Sequence, residues 1–263
     1  MNDAAQGLVI DLDGMVTAAV LTGVRVSGLF VFAPLFGSVA IPMRVKAVLV
    51  ALCTAVIYPT VSARIHAVVT PETAVPLIAG ELAVGVLAGF TVQLVFEAVQ
   101  FAGHVLGLQM GYSLVNMLDP QTQVDTPVLS LLYQTVAMLV FLQMNVHHWL
   151  LRGIARSFSY LPPGEFRTSG AVGEQLVALI AGVWLIGFQI AAPVVMATVM
   201  ADLILGFLGK AAPQLPVLFL GIPVKAMLGF VVMLGTLKYV PSLMERHFSA
   251  AIAAGERLLR LAR

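Results

Sequence analysis

The chain has 263 residues, of which 60% are hydrophobic and 10% charged, and its mean hydropathy is +0.99. A soluble domain of this length carries about a quarter charged residues, so the composition predicts an integral membrane protein. A formal net charge of +1 argues against nucleic acid as a partner, and the single cysteine, Cys53, excludes a disulfide within the chain.

Six apolar segments are long enough to be considered as membrane helices. They are predicted at about 15–36, 45–58, 76–111, 127–151, 174–208 and 215–239. Pro59 is expected to end the second segment, Pro193 to kink the fifth and Pro223 to interrupt the sixth. The predicted class is an all-α integral membrane protein, with about six long, partly broken helices in hairpins that form a single membrane domain, 1–263.

Two terminal segments differ from the apolar core. Residues 1–14 form an acidic lead with three aspartates and no Lys or Arg, so no signal peptide is expected. Residues 241–263 read as an amphipathic helix, with Ser242 and Glu245 at capping-box spacing near its start. Its apolar stripe is predicted to contain Met244, Phe248, Ala251, Ile252, Leu258, Leu259 and Ala262. This helix is either interfacial, docked on a partner, or an ordinary solvated terminal helix.

The distribution of charge gives conflicting topologies. The acidic N-terminus is expected outside and the basic C-terminus inside, which requires an odd number of crossings. Six segments were counted, so one segment between Arg44 and Arg152 is expected to re-enter or to lie outside the bilayer plane. Irregular backbone at membrane depth is tolerated when protein or a wet cavity covers it, which favours an assembly.

The third segment carries polar residues and glycines along one side. At about 100° per residue, these residues and Glu81 fall within an arc of roughly 160°. The predicted inter-subunit helix face contains Gly85, Gly89, Gln93, Glu97, Gln100, Gly103, His104, Gly107 and Gly111. Glycines at this spacing allow close backbone approach in lipid, and ionisable groups at depth usually face a bundle interior or water. Packing within the chain is the alternative.

Three further charges are predicted at membrane depth: Arg25, Asp202 and Lys225. Asp202 and Lys225 are expected to form a structural pair across the turn near Pro213, which would offset their desolvation. A proton-relay role is a less favoured interpretation.

The loop at about 112–126 contains no Lys or Arg, and its first half is apolar. Leucine, valine and methionine side chains suit an adaptable seal, although an ordinary buried connection has the same composition. Motifs for catalysis or cofactor binding are absent from the sequence, and His147 and His148 are adjacent and therefore lack the spacing of a zinc-binding helix. We therefore expect no enzyme activity, cofactor or metal.

An ordered set of segments resembles the FliR family, the export-gate subunit of flagellar type III secretion with counterparts in injectisomes. The matching positions are 25–30, 33–38, 41–46, 107–113, 118–121, 127–129, Asn145, Trp149, 161–164, 202–206 and 212–225.

The resemblance implies one protomer of a helical export-gate ring with FliP and FliQ, in contact with FlhB and rod components. Such a ring lies in the bacterial inner membrane at the flagellar basal body, partly above the bilayer plane, and passes unfolded export substrates. In this family the loop helps plug the closed pore. The residues implied as the plug are Tyr112, Leu114, Val115, Asn116, Met117, Leu118 and Asp119. The 118–121 and 213–214 segments look more flagellar than injectisomal, and a secondary small-molecule transporter is the remaining alternative.

Overall fold

A computed structural model describes residues 12–38, 40–62, 65, 71–112, 128–214 and 216–263, and these residues form eight α-helices. The helices are α1 (Leu12–Phe32), α2 (Met43–Val61), α3 (Pro71–Gln109), α4 (Val128–Gln143), α5 (Val146–Tyr160), α6 (Gly170–Ala211), α7 (Val217–Leu237) and α8 (Val240–Leu261). The all-α class is confirmed. Five of these helices are long and apolar enough to span a membrane, or six if the bent pair α4–α5 counts as one span.

Prolines interrupt the helices less than the sequence suggested. Pro59 lies inside α2, so the prediction that it ends this segment is wrong. Pro59 lies in the last turn of α2, where its missing N–H removes only one hydrogen bond of the helix. The helix then continues to its end, where the N–H of Ser62 donates to the carbonyl of Tyr58. Pro223 likewise lies within the continuous helix α7 and does not interrupt it. Pro193 lies within α6, and the kink expected there stays a prediction.

The fourth predicted segment is instead two helices. Asn145 separates α4 from α5 with a φ of 54°, a left-handed conformation that asparagine tolerates better than most residues. The two helices are bent by 59° at this break. The α4–α5 pair is therefore a candidate for the segment that re-enters the membrane or lies outside the bilayer plane. The number of membrane crossings stays a prediction.

The chain divides into two compact units, so the single domain remains an expectation. Unit 1 comprises Met1–Gln93, His147–Leu176 and Ala251–Arg263, and unit 2 comprises Leu94–Val146 and Val177–Ala250. In unit 1, Val84, Leu161 and Leu259 form a buried cluster. In unit 2, the rings of Phe96, Phe141 and Phe248 pack on one another at 5.6–5.9 Å.

The C-terminal helix is amphipathic, as predicted. Met244, Phe248, Ala251, Leu258, Leu259 and Ala262 of its stripe are buried, and Ile252 is half-buried. The capping box is wrong, because α8 begins at Val240 and the hydroxyl of Ser242 donates to the carbonyl of Tyr239 at 2.9 Å instead. The apolar stripe is thus covered by the chain itself.

The helices differ sharply in how much of their apolar surface is covered. Within an 18-residue apolar window of each helix, 56% of the residues of α3 are buried, whereas the shares for α2, α6 and α7 are 11%, 22% and 17%. Lipid or other protein must therefore cover most of the surface of these three helices.

Candidate assembly interface and buried charges

The first two glycines of the predicted face serve packing within unit 1. A Cβ at Gly85 would collide with the carbonyl oxygen of Arg25, and one at Gly89 would lie 2.9 Å from the amide nitrogen of Ala33. Gly28 of α1 faces Gly85 in return, so the two backbones lie in direct contact. For Gly85 and Gly89 the inter-subunit assignment is corrected to a contact between α3 and α1.

Two more glycines of the predicted face have roles within unit 2. A Cβ at Gly103 would meet the backbone of Ser130, whose hydroxyl donates to the carbonyl of Gln100 at 3.1 Å. Gly111 has a φ of 88°, and the N–H groups of Gly111 and Tyr112 bond the carbonyls of Leu108 and Gly107 at 3.1 and 3.0 Å. This is a Schellman motif, so Gly111 ends α3. The assignment of Gly103 to a subunit contact is corrected to a contact with α4, and the assignment of Gly111 stays a prediction. Gly107 is also buried.

The polar members of the face are placed differently. Glu97, Gln100 and His104 are exposed and Gln93 is half-buried. At this spacing they form one line along α3, which we call the polar stripe (Gln93, Glu97, Gln100 and His104). The stripe is accessible in the chain alone, and its role as a subunit contact stays a prediction.

Arg25 forms a fully buried network in unit 1. Its Nε donates to Glu81 Oε2 at 2.7 Å and its Nη2 to Glu81 Oε1 at 2.9 Å, and the two side chains are 0% and 1% exposed. Nη1 donates to the Ser157 hydroxyl at 2.7 Å and Nη2 to the Leu161 carbonyl at 3.1 Å. The ring of Phe158 lies 3.8 Å from the guanidinium carbon. The network satisfies both charges and joins α1, α3 and α5.

The sequence interpretation missed this partnership, because it assigned Glu81 to the outward side of α3. A usable signal existed in the scarcity of charge. Arg25 is a cation within an apolar helix and must find a carboxylate, and Glu81 is a carboxylate within another apolar helix. Nothing in the sequence pointed to Ser157.

The pairing predicted for Asp202 and Lys225 is confirmed in geometry. Nζ of Lys225 lies 2.9 Å from each carboxylate oxygen of Asp202, and the side chains are 21% and 47% exposed for Lys225 and Asp202. Their helices α6 and α7 contact each other again where Leu205 meets Gly221. The pair lies on an outer surface that also exposes Leu203, Ile204, Val224 and Met227.

Tyr112 is the plug candidate that the structure describes. It is 40% exposed, and its ring packs edge-on against Phe230 at 6.1 Å in unit 2. The remaining candidates, Leu114, Val115, Asn116, Met117, Leu118 and Asp119, lie outside the described residues. Their role as a plug stays a prediction.

A cluster of three or more His, Cys, Asp or Glu side chains able to hold a metal is not found among the residues that the structure describes. The arrangement supports burial of charge and helix packing, and what it leaves exposed is the polar stripe and the apolar outer surfaces.

Comparison with known proteins supplies the context for this arrangement. Residues 16–251 match the family described as bacterial export proteins, family 1. The chain belongs to this export protein family.

Individual relatives cover most of the chain. It is 33% identical to the flagellar biosynthetic protein FliR of Bacillus subtilis, over 93% of this chain and 95% of that protein. It is 31% identical to the FliR of Escherichia coli, over 86% of each chain. The secretion system apparatus protein SsaT of Salmonella typhimurium is 28% identical over 62% of this chain and 63% of its own length.

Proposed function

We propose that this chain is a non-enzymatic subunit of the flagellar type III protein export gate in the bacterial inner membrane. The main support for this proposal is the family match over residues 16–251, together with 33% identity to a flagellar FliR across nearly its full length. The five or six apolar helices able to span a membrane agree with a membrane location. The gate passes unfolded flagellar proteins and supports growth of the rod.

The partners of the chain in this proposal are FliP and FliQ, which complete the ring, with FlhB and rod components in contact with it. The polar stripe supports the need for partners, because Gln100 and His104 are exposed on an otherwise apolar helix. Contact of such polar groups with lipid hydrocarbon costs free energy, and polar neighbours or water stabilise them. The exposed apolar surfaces of α6 and α7 offer further contact area.

The loop of the chain that follows α3 acts in this proposal as the pore plug. Tyr112 holds the start of the loop against α7 through its contact with Phe230. Replacing Leu114 and Met117 together with glycine should raise ion leak through the assembled complex, because both apolar side chains of the seal are lost. Unchanged conductance would remove these residues from the seal.

Deletion of the gene in its own host tests the function itself. We expect loss of filaments and of export of rod and hook proteins, restored by the wild-type chain from a plasmid. Intact flagella in the deletion strain, with loss of effector secretion, would identify the injectisome counterpart that the likeness to SsaT makes the second candidate. Solute transport by the purified chain alone in liposomes would instead support a secondary transporter.

The polar stripe can be tested separately. Gln100→Leu with His104→Leu should lower the recovery of co-purified partner subunits while the chain still inserts, because the contact loses its polar groups. Gln143→Leu is the matched control, since Gln143 is also exposed in unit 2 and lies outside the stripe. Equal recovery from all three proteins would exclude the stripe as a subunit contact.

A further inference from the structure

Unit 2 contains a cavity of about 270 Å³ at the point where α7 gives way to α8. Its apolar wall includes Ile190 and Pro193 of α6. A second wall is one line of residues, since Tyr239 just before α8 and Ser242, Leu243 and Arg246 within α8 follow helical spacing. This line is separate from the buried stripe that begins at Met244.

Arg246 is the one charged side chain among the residues that line the cavity, and it is exposed. Within the part of the chain that the structure describes, Arg246 belongs to none of the ion pairs. A second cation lies close by, because Nζ of Lys238 is 4.8 Å from the ring centroid of Tyr239, which also lines the cavity. The cavity thus joins a cationic rim to hydrogen-bonding groups and an apolar wall.

The cavity lies next to the end of a candidate membrane span. By length and composition this span of α7 ends at Leu237, and Lys238 and Tyr239 follow directly. Lysine and tyrosine at the end of a membrane helix lie at the level of lipid headgroups. Leu234, one turn before Lys238, is 65% exposed, so the end of α7 presents apolar surface to its surroundings.

The charge of the C-terminal segment assigns this exit to one leaflet. Five basic residues, Lys238, Arg246, Arg257, Arg260 and Arg263, follow the last spanning stretch and favour the cytoplasmic side. The cytoplasmic leaflet carries anionic lipid, which attracts basic residues close to the membrane.

We propose that this cavity binds one anionic phospholipid, with the phosphate on Arg246 and the upper part of an acyl chain against Ile190 and Pro193. An amphiphile matches both walls, whereas an acidic protein segment would leave the apolar wall uncovered. The site goes beyond the proposed function, because it requires only that α7 spans the membrane and ends on the cytoplasmic side. The bound lipid fixes α8 to the end of α7 at a defined depth.

Native mass spectrometry of the full-length chain in detergent, titrated with phosphatidylglycerol or phosphatidylcholine, tests the site. We expect one molecule of phosphatidylglycerol to bind in preference to phosphatidylcholine. Arg246→Gln should weaken that binding about tenfold, because it removes a charge-assisted contact to phosphate. Ser242→Trp should have a similar effect by filling the cavity without a change of charge.

Arg257→Gln is the matched control, since Arg257 is an exposed arginine on the same helix away from the cavity. An equal loss of phosphatidylglycerol in this variant would show general attraction to basic charge and overturn the site. Competition by millimolar inorganic phosphate, without preference for lipid, would show a free-anion site instead. If Arg246→Gln leaves lipid binding unchanged and lowers recovery of partner subunits, the cavity is a protein contact and the lipid proposal is wrong.

Discussion

Removing the carboxylate of Glu81 is the sharpest test of the buried network. Glu81→Leu deletes two hydrogen bonds of 2.7 and 2.9 Å and leaves the guanidinium of Arg25, which is 0% exposed, without a counter-charge. Breaking one side of a buried ion pair costs about 3–5 kcal/mol. The folding equilibrium should therefore shift by roughly 10²- to 10⁴-fold, a large part of the stability of a typical domain.

The double variant Arg25→Met with Glu81→Leu separates charge from volume. It replaces both charged groups with apolar side chains, and such exchanges are often neutral or stabilising. We therefore expect the double variant to recover most of the stability that Glu81→Leu loses. Ser157 keeps its second hydrogen bond, to the carbonyl of Ile154 at 2.7 Å, and is not left without a partner.

The assay is reversible unfolding of the full chain in detergent, followed by circular dichroism. Glu165→Leu is the matched control, because Glu165 pairs with Arg263 at 3.1 Å while the two side chains are 43% and 64% exposed. An exposed pair of this kind contributes about 0–1 kcal/mol. If Glu81→Leu costs no more than Glu165→Leu, or if the double variant is as unstable as the single, the reasoning fails.

Three further predictions address packing, titration and the outer ion pair. Gly85→Ala should destabilise the folded chain in thermal unfolding because its Cβ meets the α1 backbone, whereas Gly182→Ala, with open space around it, should be neutral or stabilising; equal effects would exclude the close packing. Burial lowers the pKa of His247, so stability should fall as the pH drops below about 6.5, and His247→Phe should flatten that pH dependence in denaturation curves; an unchanged slope would refute this. Lys225→Met should lower the recovery of monodisperse protein by leaving Asp202 unpaired, and adding Asp202→Asn should restore it; no recovery in the double variant would count against pairing.

The existence of the long helices could be predicted from the sequence, because an apolar run of membrane length rarely forms any other structure than a helix. The ends of the helices depended on single residues and were predicted less well. The break at Asn145 coincides with a change in composition, because α4 contains no charged residue or histidine whereas α5 contains His147, His148, Arg152 and Arg156. The sequence interpretation read one apolar segment across this change. Pro59 was misread because a proline near the end of a helix costs one hydrogen bond and does not stop the last turn.

The face of α3 shows what periodicity leaves out. A helical projection gives the direction of each side chain and says nothing about which neighbour lies there. Over the 39 residues of α3, the same direction is covered by α1 at Gly85, by α4 at Gly103 and by no described part of the chain at Gln100. The pairing of Asp202 with Lys225 was predictable because a short turn brings consecutive helices together. For Arg25 and Glu81 the scarcity of charge indicates that each needs a partner, but no short turn joins their helices, since 56 residues and a whole helix separate them.

That separation has a consequence for how the protein is made. Ribosomes add about 5–20 residues per second, so Glu81 is synthesised roughly 3–11 s after Arg25, and Ser157, 132 residues downstream, roughly 7–26 s after it. During this interval the first helix carries a cation whose eventual neighbours do not yet exist. The nascent α1 must therefore stay at the insertion machinery or at the lipid–water boundary, where Arg25 is hydrated, until α3 and α5 have been synthesised. The order of synthesis thereby makes completion of unit 1 a late event in biogenesis.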